Sequence, residues 1–544
     1  MRFDFISSSL NDKSNKPGNL FGVLPAIGGL TFIFGLVLLS FFDPFLASML
    51  VIAFCLYFLL RFIYSTLFIV LLQKRLLLEK TTDWMSRVKG FDNIHEYWRD
   101  LNWSETQLTP QEKASLSLHR KELEVLKASK QMPVSSSNIY HLLIIPFTDT
   151  FAEKLEERIL SILSSKFPLE RILIVVVLEG QVDSHVQDAV IELQKKYKNN
   201  FFDFFIIDSS GNLQGSQFAG SSVPVNAMQK IKEIFKDKDV YPEDVIVSAL
   251  RLNVKLSHHH LSCLTYYYMV HPLRNQASFQ FFPTYTDDIW GKSGIARVLN
   301  ISSSFFQLID SSNPQRLIPF SDFSISFKTL IDIGRTPLDL LIDPPAIFWE
   351  AFVYFDGSYE LSPIYIKLPW DIVAERSVKN TIHKIYAQKQ GHAAGIYKLP
   401  TLIKAFIKDS YIPTWKKIKY TLKLLEFYFF DTLWPVFFGF LAWLPALFVW
   451  PQFANMRLYY SSSRITLMIS SLVFMNIFIL IILCLMFLPK RKIKLSLSKV
   501  IGYVLQWFLI PFFGIFLTTI PALLVQIRLM KKSFSRNNQG VKAK

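Results

Sequence analysis

Residues with useful chemistry stand where apolar runs stop. The run His141-Leu-Leu-Ile-Ile-Pro146 gives way to Phe147-Thr-Asp149-Thr150, and Arg171-Ile-Leu-Ile-Val-Val-Val-Leu gives way to Glu179. A third run ends at Arg251-Leu-Asn253. Further on come Asp287-Asp288-Ile-Trp290, Asp343 ahead of two prolines, and Gln388-Lys-Gln-Gly-His392. Carboxylates can take a proton or bind a cation, and a guanidinium can hold a phosphate through two parallel hydrogen bonds. Each group also has a plainer reading. Arg251 could pair with an acid at a strand end, Asp287 and Asp288 could cap the helix they precede, and Asp343 could form a turn. Trp290 lies just past a strand end, a place suited to ligand contact. The triplet His258-His259-His260 suggests a metal site, but consecutive helical residues point in different directions. No partner at helical spacing is stronger than Cys263 or Ser262.

The elements that would position these residues follow from periodicity. Strand 140–146 is followed by helix 151–165 and strand 171–178, then by helix 183–197 and strand 202–207. Helix 223–236 leads to strand 244–250, and helix 257–270, strand 277–284 and helix 293–309 come after. Alternating strands and helices with continuously apolar strands predict a mostly parallel sheet covered on both faces. Ligands of such sheets bind beyond the carboxyl ends of the strands. Residues 74–138 read as polar helices and a short Pro-Val-Ser-Ser-Ser-Asn linker ahead of the sheet.

This α/β stretch lies between two groups of apolar segments in a chain of 544 residues that is 51% hydrophobic. Segments 17–42, 44–73, 432–456, 465–489 and 500–527 each reach the roughly 20 apolar residues that cross a bilayer, with Arg61 the one charge among them. A polytopic protein with about five spans is the expectation. The net charge of +16 sits largely beside these segments, at Lys74 and Arg75 and in 416–423, 490–499 and 528–532. That placement marks a cytoplasmic face and an anionic leaflet and argues against nucleic acid. It puts the large domain in the cytoplasm, although five spans would then leave the basic tail outside, against the same rule. Residues 411–427 carry lysines on one face and apolar residues on the other, as an interfacial helix does. Cys55, Cys263 and Cys484 are too few and too scattered for a disulfide framework or a zinc cluster.

Several pieces together resemble one family: HLLIIPF, FPLERILIVVVLEG, ASFQFFP, DDIWGKSGIARV, FSDFSISFKTLIDIG and IFWEAFVYFDGSYELSPIYI. They are similar to the membrane-bound family 2 glycosyltransferases, the inverting GT-A group that includes cellulose and hyaluronan synthases. The resemblance covers roughly 141–394. It implies a GT-A, Rossmann-like domain over 139–400, after an amino-terminal transmembrane hairpin (1–73) and a juxtamembrane linker (74–138). An interfacial helix (401–431), a transmembrane region (432–527) and a basic tail (528–544) would follow. It further implies a multi-pass plasma-membrane protein with a nucleotide-sugar donor and a lipid or glycan acceptor.

The family places an Asp-x-Asp after the fourth strand for a divalent metal and the phosphates, an acidic pair for the base, and a Gln-x-x-Arg-Trp motif for the diphosphate and acceptor. Here the Asp-x-Asp positions align with Arg251 and Asn253. The acidic pair aligns with Asp343 and Pro344, and the last motif keeps Gln388 but reads Gly391 and His392 afterwards. Glu179 matches the acid that contacts the nucleotide base, and Asp149 lies beside the first-strand position. An arginine in place of a hard-cation ligand removes an oxygen and adds repulsion, so Mg²⁺ or Mn²⁺ is expected only if other acids serve. Two readings follow. In one, the domain is a degenerate transferase acting as scaffold or regulator for an active partner subunit. In the other it transfers sugar without metal, Arg251 neutralising the diphosphate, Asp343 or Asp288 serving as base and Trp290 touching the sugar.

Overall fold

The computed structural model describes residues 5, 20–80, 82–103, 109–128, 134–147, 152–179, 183–208, 223–313, 323–375, 377–447, 457–489, 513, 515–528 and 531. In chain order these form helices α1 (Leu20–Phe42), α2 (Pro44–Glu79), α3 (Trp84–Gly90), α4 (Ile94–Trp103) and α5 (Pro110–Ala128). Strand β1 (Tyr140–Phe147), α6 (Glu153–Leu163), β2 (Ile172–Leu178), α7 (Ser184–Tyr197), β3 (Asp203–Asp208), α8 (Val223–Lys236) and β4 (Val245–Ala249) come next. They are followed by α9 (His260–Val270), β5 (Ala277–Tyr285), α10 (Gly294–Ser311), β6 (Ser324–Ser326), α11 (Phe327–Asp332), α12 (Asp339–Ile342), α13 (Pro344–Tyr354) and β7 (Glu360–Trp370). The last labelled helices are α14 (Val378–Ala394), α15 (Lys398–Lys408), α16 (Thr414–Leu425) and α17 (Asp431–Gly439). The chain divides into two units, one of residues 72–284 and 317–371, the other of 1–71, 285–316 and 372–544.

The first unit holds a seven-stranded mixed sheet in the order β3-β2-β1-β4-β6-β5-β7. Strands β1 to β4 are parallel, with Ile144 opposite both Val175 and Ala249. The short β6 runs antiparallel between β4 and β5. Every residue of β2 is buried, as a strand covered on both faces requires. The order reverses at β1: β2 and β3 lie to one side of it, β4 to the other. A crevice at such a switch point, outside the carboxyl ends of the strands, is where ligands of open α/β sheets bind.

Ahead of the sheet, α5 is tied to α9 by polar groups within the core. His119 bonds the Tyr97 hydroxyl through Nε2 at 2.7 Å and the Tyr266 hydroxyl through Nδ1 at 2.5 Å, and Tyr266 donates to Glu122 at 2.6 Å. Burial, with Arg87 nearby, pushes the His119 imidazole down to about 3, so it stays neutral.

In the second unit apolar helices pack through aromatic rings, with Phe58, Phe62, Trp434, Phe437 and Phe438 meeting edge to face, stacked or tilted. Arg61 on α2 is buried and faces Glu426 at 3.9 Å, and the Tyr57 hydroxyl donates to the same carboxylate. Glu426 opens a π-helical turn, Glu426–Phe430, between α16 and α17. Two rings of that turn lie against glycine: Phe429 against Gly28, and the Tyr428 hydroxyl against Gly395, where a side chain would collide with it.

The number of spans differs from the sequence expectation. Among the described residues two helices are long and apolar enough to cross a membrane, Pro44–Glu79 and Ser461–Leu485. A third exists only if Thr414–Phe429 and Leu433–Leu447, bent by 55° at their junction, count as one. The physical reason is in the chain: the π-turn precedes α17, and α17 carries Pro435 in its interior, which removes a backbone bond and kinks the helix. The stretches Gly28–Phe42 and Ile515–Arg528 are helical and apolar but shorter. The first part of the expected segment 500–527 lies outside the described residues.

Candidate functional site

Two strand ends build the site. Glu179 follows β2, and its amide donates to the Phe147 carbonyl at 3.1 Å, which extends the β1–β2 pairing by one residue beyond the strand. Across β1, the Leu250 amide donates to the Ile144 carbonyl at 2.8 Å and carries β4 to the brink of the same crevice. Arg251 comes next and is exposed, whereas Glu179 is half-buried. Burial raises the Glu179 carboxyl above the usual range, and the Arg251 guanidinium opposes that shift. Arg251 at the end of β4 is thus within electrostatic reach of Glu179 at the end of β2, with β1 between the two strands.

The backbone beneath Arg251 is held from three sides. The Val254 amide closes a turn onto the Arg251 carbonyl at 3.1 Å. Arg158, on α6 and only 4% exposed, donates from Nη2 to the Leu252 carbonyl at 2.5 Å. The Asp371 amide donates to the Asn253 carbonyl at 2.8 Å, and Val254 bridges Trp370 at the end of β7. Sequence reading missed Arg158. The signal was present: it falls among Leu155, Ile159 and Ile162, on the buried face of an amphipathic helix, where a cation has no apolar reason to be.

Asp343 belongs to the same unit and sits at the α12–α13 junction. Its Oδ1 accepts the Ala346 amide at 3.2 Å, with Pro344 at the first helical position. This is an N-cap, the helical counterpart of the turn expected from the two prolines. Asp149 lies outside the described residues.

The remaining candidates belong to the other unit. Asp288 pairs with Lys292 at 2.8 Å across one helical turn, and neither it nor Asp287 caps α10. That role falls to Ser293, whose hydroxyl accepts the Ala296 amide at 3.2 Å. Trp290 donates from Nε1 to the Pro489 carbonyl at 2.9 Å and packs on the cluster of Ile289, Ala296, Ile301 and Ile372. Arg297 lies over its ring, 5.6 Å from the centroid. Gln388 and His392 lie four residues apart on α14, with Gln388 exposed and His392 half-buried. The structure thus sets Glu179 after β2 and Arg251 and Asn253 after β4, at the carboxyl ends of one sheet, and assigns Asp288, Trp290, Gln388 and His392 to a separate unit.

The histidine triplet splits as its spacing requires. His258 bonds the Ser164 carbonyl at 2.6 Å, while His260 stacks on Phe281 at 3.7 Å and is driven down to about 3 by burial. Among the described residues no group of three His, Cys, Asp or Glu side chains could hold a metal ion. Arg251 and Asn253, which the resemblance sets at the Asp-x-Asp positions, offer a guanidinium and a carboxamide, a pair that does not fit Mg²⁺ or Mn²⁺.

No family model matches the chain, and neither does any curated protein. Solved structures that it is similar to include a mannosyltransferase and S. aureus TarS. One is the mannosyltransferase PcManGT from Pyrobaculum calidifontis in complex with GDP-Man and Mn²⁺, 12% identical over 65% of this chain and 94% of that one, with a TM-score of 0.37. Another is S. aureus TarS 1–349 in complex with UDP-GlcNAc, 12% identical over 62% of this chain and 90% of that one, with a TM-score of 0.27. Likeness at this level is too coarse to assign a reaction.

Proposed function

We propose that this chain is a membrane-anchored, glycosyltransferase-like protein that holds a nucleotide-sugar diphosphate at the β1/β4 switch point, and that its own transfer chemistry is degenerate. The observation that carries the reading is an exposed Arg251 just past the carboxyl end of β4, within electrostatic reach of Glu179 at the end of β2. A guanidinium can take two phosphate oxygens at once and supplies the positive charge that a metal would otherwise bring. By the resemblance, Glu179 would contact the nucleotide base. The sequence pieces quoted above favour the family 2 membrane group for the finer assignment. With it come a plasma-membrane location, a cytoplasmic α/β unit, a role in cell-surface glycan or glycolipid assembly, and an active partner subunit. The degenerate reading gains support from Asp343, whose carboxylate is engaged in capping α13.

The second reading, metal-free transfer, is favoured by the exposure of Arg251 at the strand end. There Asp343 would take the proton of the acceptor hydroxyl as the bond from the sugar to the departing diphosphate breaks. One experiment separates the two: the full chain in detergent is incubated with UDP- and GDP-sugars, with binding followed by thermal shift and free nucleotide by chromatography. The proposal expects stabilisation by nucleotide without release of nucleoside diphosphate. Release would establish the second reading. No stabilisation by any nucleotide would overturn both.

A further inference from the structure

We infer that Arg158 is a positioning residue for the nucleotide site, and that what it positions is a second anion donor, the backbone N–H of Asn253. This role rests on the nucleotide reading proposed above and supplies it with a donor that is not a side chain. Residues 251–254 form a tight turn. The Val254 amide donates to the Arg251 carbonyl at 3.1 Å, and Leu252 and Asn253 are the central pair. Both ends of the turn are pinned. Before it, the Leu250 amide is bonded to the Ile144 carbonyl on β1. After it, Val254 bridges Trp370 and the Lys255 amide donates to the Pro369 carbonyl at 2.9 Å. The peptide between Leu252 and Asn253 is the unit whose orientation these bonds leave open.

That peptide has two settings in a turn closed by such a bond. Rotating it by about 180° converts type I into type II, which requires positive φ at the third residue, here Asn253. Among the described residues the non-glycine positions with positive φ are Asp239 and Asp356, so the turn has the type I sense. Asparagine tolerates positive φ better than most side chains, and the flipped turn is therefore within reach. Arg158 selects between the two. It lies among Leu155, Ile159 and Ile162 on the buried face of α6 and donates from Nη2 to the Leu252 carbonyl at 2.5 Å. An apolar residue would occupy that place without the cost of burying a charge. The peptide is trans, so its C=O and N–H point in opposite directions. With the Leu252 oxygen drawn towards the buried guanidinium, the Asn253 N–H is turned away from it, on an exposed residue past the carboxyl end of β4. Among the described residues that N–H has no acceptor. A backbone amide two residues after an exposed arginine gives a diphosphate two kinds of donor in one turn. The flipped turn would present a carbonyl oxygen instead, which repels phosphate.

The test is calorimetric titration of the full chain in detergent with UDP and GDP in the presence of a chelator, with each variant's folding checked by its melting. Arg158→Met removes the bond to Leu252 and should weaken binding by at least about tenfold. Alanine resists positive φ, so Arg158→Met/Asn253→Ala should bind more tightly than Arg158→Met alone, a rescue that a merely structural arginine does not allow. A double variant no tighter than Arg158→Met would show that Arg158 does not act through this peptide. Wild-type affinity in Arg158→Met, with Arg251→Met weakened, would overturn this role and leave the nucleotide reading standing. No binding of either nucleotide by the wild type would overturn both. If Arg158→Met does not fold, hydrogen exchange decides on the wild type. Saturating nucleotide should slow exchange of the Asn253 amide by at least about tenfold, and unchanged exchange at that amide would contradict the inference.

Discussion

Replacing Arg251 by methionine separates site from scaffold, because the structure assigns the two roles to different atoms. The turn at 251–254 is held through backbone carbonyls, by Val254 on Arg251, Arg158 on Leu252 and Asp371 on Asn253. None of these bonds uses the Arg251 side chain. That side chain is exposed, so what its interaction with Glu179 adds to stability is that of a surface pair, roughly 0–1 kcal/mol. Against a diphosphate the same guanidinium would make charged hydrogen bonds worth about 1.5–3 kcal/mol, or about 10- to 150-fold in affinity. The variant should therefore melt within a few degrees of the wild type and bind a nucleoside diphosphate at least tenfold more weakly by calorimetry. Glu179, no longer opposed in its shift, should titrate higher still. Equal nucleotide affinity in the two proteins would refute the role given to Arg251. A collapse of stability would show that the side chain, not the backbone, holds the turn.

Other expectations follow from single groups. Burial raises the Asp244 carboxyl from 3.8 to about 6, with Arg274 opposing the shift. Between those pH values the native state keeps a proton that the unfolded chain has released, so stability is greatest below 3.8 and falls as pH rises through about 6, by at most about 3 kcal/mol. Asp244→Asn should flatten that part of the pH–stability curve, and an unchanged slope would contradict the assignment. Asp343→Asn keeps a capping side chain, so melting should not move by more than a degree or so. If transfer activity is found and survives this change, Asp343 is not its base. Arg61 lies roughly 20 Å along α2 from Lys74, deep in the apolar helix. Glu426→Gln should therefore leave a buried, poorly compensated guanidinium and cost up to about 3–5 kcal/mol. The double variant Arg61→Met/Glu426→Met should recover most of the loss, and a single variant as stable as the wild type would show that the pair is immaterial.

Strands β1 to β4 were legible because each is a largely apolar run bounded by turn residues, which is what a doubly covered parallel sheet demands; β5 was legible from its phenylalanines although Ser278, Gln280 and Pro283 interrupt it. Strand β6 was not, since Ser324-Ile-Ser326 has too little pattern to show and owes its strand form to β4 and β5 on either side. β7 contains Pro363, Pro369 and Lys367, residues that disguise a strand in the sequence. Helix α13 went unread, because Asp343-Pro344-Pro345, a cap followed by proline at the first helical position, equally describes the turn that was expected. That Arg251 comes within electrostatic reach of Glu179 is a tertiary fact that no local pattern records. Fewer spans than five are found among the described residues, in part because apolar composition does not register the bend where the π-turn meets α17 and its internal proline.

The central claim is that a diphosphate is held by a guanidinium where a metal would otherwise serve. Calorimetric titration of the purified full chain with UDP and GDP, first with Mn²⁺ and then with a chelator, tests it most directly. The account predicts binding of at least one nucleotide with the same affinity under both conditions. Binding that appears only with Mn²⁺ would contradict it and would point to acidic ligands elsewhere in the chain.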